Sequence, residues 1–82
     1  MANNLSYLML EHPHYLDEIR LLNLYNAEFQ TMAIEYQQLT TQIQALDESH
    51  PSNKLRQYLK RHQVLNQTIQ SMLVKHALAA KL

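Results

Sequence analysis

Residues 19–43, IRLLNLYNAEFQTMAIEYQQLTTQI, decide the fold. Neither proline nor glycine interrupts them, and a seven-residue count places Leu22, Phe29, Tyr36 and Ile43 at one position of a seam. Met32, Leu39 and, just inside and outside the stretch, Tyr25 and Leu46 occupy the partner position. A heptad of this kind keeps one apolar stripe facing a neighbouring helix. Extended backwards, the count takes in Tyr15 and Glu18, of which only the glutamate is out of character. The spacing predicts a long helix over 14–47.

Proline lacks the N–H that a first helical turn leaves unpaired, so Pro13 and Pro51 mark places where helices begin. Ahead of Pro13, residues 3–11 read as a short helix capped by Asn3 or Asn4, within an N-terminal segment spanning 1–13. Near Pro51, DESHPS supplies a turn over 48–52, and Ser49 or Ser52 caps a last helix over 53–80. The heptad resumes there, with Leu55, His62, Ile69 and His76 at one position and Tyr58, Leu65, Met72 and Ala79 at the other. A short loop between two such helices makes them antiparallel neighbours. In that register Leu46 faces Leu55, Ile43 faces Tyr58, Leu39 faces His62, Tyr36 faces Leu65, Met32 faces Ile69, Phe29 faces Met72 and Tyr25 faces His76.

The expected fold is therefore all-α: a single domain, residues 1–82, forming an antiparallel two-helix coiled-coil hairpin with a short N-terminal helical segment. Its flanks differ. One carries Glu28, Glu35, Lys54, Arg61 and Lys75, with Leu21 as the exception; the other carries Ile19, Ala33, Leu59, Leu73 and Ala80, interrupted by Asn26, Asn66 and Thr40. Two helices cannot cover that apolar flank, and an uncovered apolar stripe on a small protein marks an interface. Ile19, Ala33, Leu59 and Leu73 are thus the expected contact residues of a homodimer closing into a four-helix bundle. Residues 1–14 are left either to cap the open end of the hairpin or to meet a second chain.

Composition narrows the chemistry. Eighty-two residues without cysteine hold no disulfide, thiolate nucleophile or cysteine-based zinc site. The absence of glycine removes Gly-rich phosphate loops and the nucleophile elbow. The N-terminus has no basic leader and too short an apolar run for a membrane span, so a cytoplasmic protein without membrane contact is expected. HPH at 12–14 places His14 one turn from Glu18, but with no second ligand cluster it reads as a helix entrance with exposed histidines. Neither a metal nor a cofactor is expected. No Ser, His and Asp come together in the inferred register, and a two-helix hairpin offers little concavity, so no catalytic residue is expected either.

The net charge of zero conceals a division. Residues 1–50 hold seven acidic side chains and one basic, Arg20, whereas residues 51–82 hold six basic and none acidic. Charges of opposite sign beside a seam select orientation and partner. Glu28 is expected near Lys75. The rival reading is a nucleic-acid-binding accessory protein whose Lys54, Arg56, Lys60 and Arg61 track a phosphate backbone. His62 and His76 lie on the seam, where polar residues fix register; a pH switch is the alternative reading.

Ile19, Leu22, Asn26, Phe29, Met32, Tyr36, Leu39 and Ile43 resemble, in type and spacing, the first helix of the YdcH-like proteins, and LKRHQVLNQTIQSML is similar to the second. The likeness covers roughly residues 19–73. Ala27 stands where the family often has proline, and Tyr36 where histidine is common. The resemblance implies a helix-loop-helix protein of bacterial origin and transfers no catalytic residue. The expected function is a non-enzymatic interaction or regulatory module, with a homo-oligomer and a further protein as partners.

Overall fold

The computed structural model describes residues 5–46 and 53–80. The described residues are almost all helical, without a strand. Helix α1 is Ser6–Glu11, followed by a single 3-10 turn at Pro13–Tyr15. Helix α2 is Leu16–Tyr25, α3 is Ala27–Ala45 and α4 is Asn53–Ala80. The Asn3, Asn4, Ser49 and Ser52 caps and the 48–52 turn lie outside the described residues. Pro13 opens the 3-10 turn, as its missing N–H predicts.

The long helix expected over 14–47 is divided. Asn26 is extended, with φ −121° and ψ 111°, and α3 starts afresh after it. Its side-chain oxygen accepts from the Phe29 N–H at 2.9 Å, satisfying one of the donors a helix start leaves unpaired. Glu28 adds a negative charge in the first turn, where the helix dipole favours one. On the other side of the joint, Gln30 Nε2 donates to the Asn23 carbonyl at 2.7 Å, occupying an acceptor at the end of α2. The joint is therefore hydrogen-bonded on both sides without glycine or a positive φ.

The break turns the chain back along itself. The Tyr7 hydroxyl, 19 residues before Asn26, donates at 3.2 Å to Gln44 Oε1, 18 residues after it. Residues 5–25 thus form an arm that packs along α3 and α4. Leu8, Ile19 and Leu22 of the arm share one core with Phe29, Ala33, Tyr36 and Leu39 of α3 and Leu65, Ile69 and Leu73 of α4. Each fully buried leucine, isoleucine or phenylalanine here contributes about 1.5–3 kcal/mol relative to exposure.

This arm covers most of the expected interface from within the single chain. Ile19, Ala33 and Leu73 have no exposed surface within the single chain; only Leu59, at 48% exposure, remains open. A hairpin standing alone would leave this apolar flank uncovered. The arm supplies the missing layer from the same chain. Tyr25, expected to face His76, is instead 82% exposed, because it lies at the end of α2 on the outer side of the break.

Candidate functional site

Where the arm crosses α3 and α4, polar side chains gather. His12 ends α1 and is 8% exposed, contrary to the expectation of an exposed helix entrance. Its Nε2–H donates at 2.8 Å to Asn66 Oδ1 on α4, across 54 residues of sequence. A buried imidazole needs a partner, and Asn66 interrupts the apolar flank where one is available.

His62 is half-buried beside them. Its ring stacks on Tyr36 with centroids 4.4 Å apart and an interplanar angle of 24°. Its Nε2 lies 2.9 Å from Thr40 Oγ1, and that hydroxyl already donates to the Tyr36 carbonyl at 2.8 Å. With its one proton committed, Thr40 accepts from His62 Nε2–H, which fixes the neutral tautomer with Nδ1 bare. His62 thus meets Tyr36 and Thr40, the residues on either side of the expected Leu39. Burial pushes its pKa below the ordinary 6.5, against a smaller opposing pull from the Glu11 carboxylate. Tyr36 is raised above 10, first by burial and then by Glu11.

The opposite flank of α3 and α4 carries the charge. Arg61 Nε donates to Glu35 Oε2 at 2.7 Å and Nη2 to Oε1 at 3.0 Å, a two-bond fork. The Arg61 hydrogen bond holds the Glu35 carboxyl below its ordinary range. Among the described residues the other ion pair is Asp17–Arg20, and Glu28 and Lys75 do not pair. Lys54, Arg56 and Lys60 are exposed. An open groove of about 610 Å³ lies near the start of α3, between Ala27, Glu28, Thr31 and Met32 on one wall and Thr68 and Met72 on the other.

His76, half-buried near the end of α4, presents a buried Nδ1 with no hydrogen-bond partner among the described residues. It does not join His62. His14 is exposed, and no group of three or more His, Asp or Glu among the described residues is placed to hold a metal ion. No described helix is long and apolar enough to cross a membrane.

Sequence reasoning placed Asn26, Asn66 and Thr40 as polar interruptions of the apolar flank but missed the hydrogen bonds they make and the burial of His12. For Asn26 the signal was present: an asparagine three residues before Phe29, with an acid between them, is a helix-start pattern. For His12 and Asn66 only the reversal of the arm brings the pair together. No family model, curated protein or solved structure matches the chain.

Proposed function

We propose that the chain is a non-enzymatic protein-interaction module built on an antiparallel α3–α4 hairpin. The order of contacts supports the hairpin. Residues 27–32 at the start of α3 share a groove with 68 and 72, whereas residues 35–40, further along α3, meet 61 and 62, earlier on α4. The YdcH-like resemblance implies the same helix-loop-helix arrangement. The non-enzymatic reading is supported by His12 and His62, each of which has Nε2 engaged inside the protein.

The observation that carries the interaction reading is a stripe on α2. Leu21, Leu24 and Tyr25 are 43%, 65% and 82% exposed. At spacings of three and four residues they lie on one helical face. The stripe ends two residues before Ala27, which lines the methionine-containing groove. Apolar surface of this kind, with flexible methionines beside it, suits a partner helix.

Affinity capture from cells tests the reading, using the tagged chain beside Leu24→Asp and Arg56→Gln/Lys60→Gln variants. A protein partner lost with Leu24→Asp and retained with the basic substitutions is the expected outcome. The exposed Lys54, Arg56 and Lys60 favour the second reading, a nucleic-acid accessory role. Salt-dependent retention on DNA or RNA that disappears in Arg56→Gln/Lys60→Gln, with no partner lost in Leu24→Asp, would replace the first reading by the second.

A further inference from the structure

We propose that two copies of the chain exchange their N-terminal arms, residues 5–25, by straightening the joint at Asn26 into one continuous helix over 16–45. The inference concerns the covered flank and is independent of the Leu21–Leu24–Tyr25 stripe.

The joint is a single residue out of helical geometry. Hydrogen bonds of helical spacing already reach it from both sides, Asn26 N–H to the Leu22 carbonyl at 2.9 Å and Gln30 N–H to the Asn26 carbonyl at 3.0 Å. Neither proline nor glycine holds it open, and the heptad of Leu22, Phe29 and Tyr36 runs through it without a step. Turning the Asn26 backbone into the helical region allows the amides of 27, 28 and 29 to bond the carbonyls of 23, 24 and 25. Against this, the Asn26 cap on Phe29 and the Gln30 contact to Asn23 are lost. Two helical arrangements of this one segment therefore compete, bent and straight.

The surfaces choose what a straight chain does. Straightening strips the arm from the flank, exposing Leu8 and Ile19 on one side and Ala33 and Leu73 on the other, all without exposed surface in the bent form. The complement of each is its counterpart on a second copy. There the Tyr7–Gln44 and His12–Asn66 hydrogen bonds re-form between chains. Because these contacts are common to both forms, their balance rests on the joint and on the entropy of association.

Substitutions at the joint test this. Ala27→Pro places proline at the first position of α3, after an Asn26 whose φ and ψ already suit a residue preceding proline. It is tolerated when bent and disrupts a continuous helix. Asn26→Ala removes the cap and favours the straight form. The full chain, refolded at high concentration, is expected to give a dimer by sedimentation that exchanges slowly with monomer.

The dimer association constant is expected to rise roughly tenfold or more in Asn26→Ala and to fall more than about a thousandfold in Ala27→Pro, with helicity retained. The chain has no cysteine, so Tyr7→Cys and Gln44→Cys chains of different tag mass carry one thiol each. After joint refolding, a bis-maleimide is expected to link the two chain types within the dimer, and Leu24→Asp to leave that linkage intact.

A wild type and Asn26→Ala that remain monomeric at millimolar concentration would overturn the proposal. So would a dimer undiminished in Ala27→Pro, an Ala27→Pro chain that loses its helicity, or a dimer without the mixed linkage. Loss of partner capture in Leu24→Asp bears on the stripe alone.

Discussion

Along one flank of the α3–α4 pair lie Ala33 and Leu73, with no exposed surface; along the other lie Glu35 and Arg61, with side chains 37% and 52% exposed. The first flank is closed by an arm of the same chain, the second by nothing among the described residues beyond its own ion pair. The difference separates what holds this fold together from what decorates it. Burial stabilises in proportion to apolar area removed from water, whereas a solvated ion pair is screened and costs side-chain freedom.

The contrast is broken most sharply by charge. Leu73→Asp puts an unpaired carboxylate beneath the arm and is expected to cost about 4 kcal/mol or more, most of the stability of a domain this size, so that thermal melts show no cooperative transition. Leu59→Asp, on the same flank but 48% exposed, is expected to fold with a near-native midpoint. Equal losses in the two variants would mean that the arm does not divide them. Truncation inside the arm comes next. Leu8→Ala is expected to cost about 2–5 kcal/mol in urea unfolding, although the residue lies in a six-residue helix near the start of the chain. At the joint, Asn26→Ala, measured at concentrations dilute enough for monomer, is expected to lose about 1 kcal/mol with the cap.

Acid sharpens the comparison further. His62 has a folded-state pKa below its unfolded 6.5, so the unfolded chain binds more protons between the two values. Its contribution is present above pH 6.5 and declines as pH falls through 6.5 towards the folded value. Subtracting the pH profile of His62→Gln from that of the wild type isolates this decline in denaturant midpoints. Glu11→Gln is expected to extend it to lower pH, because the carboxylate favours the protonated imidazole. The smallest effect belongs to the bare flank. Glu35→Gln is expected to leave the midpoint at neutral pH unchanged within error, since Glu35 and Arg61 are both substantially solvated.

Much of the helical content was legible beforehand, because periodicity over several turns is a strong local signal. Helix α4 occupies 53–80, and Phe29, Tyr36, Leu65 and Ile69, assigned to the seam from spacing, are buried. His62 was legible as a seam residue, but its partners were not: Thr40 lies just outside the seam positions, and the expected register set Tyr36 against Leu65. The sequence leaves His12 exposed, because its environment is made by Asn66, 54 residues away. At Asn26 the capping signal of one residue competes with an unbroken heptad, and the heptad points to a continuous helix. A heptad reports which face is apolar; it carries little information about whether the axis continues.

The sequence by itself determined the helical class, the apolar faces, the division of charge between its two parts and the exclusion of thiol and glycine-loop chemistry. Each of these depends on residue type or on spacings of a few residues, over which backbone geometry is nearly fixed. Only the tertiary structure decided where the helix bends and what covers the flank of Ile19, Ala33 and Leu73. That choice lay between an arm of the same chain and a surface of another, and the two present the same chemistry. A local pattern cannot distinguish them; the reversal at Asn26, which brings Tyr7 to Gln44, does.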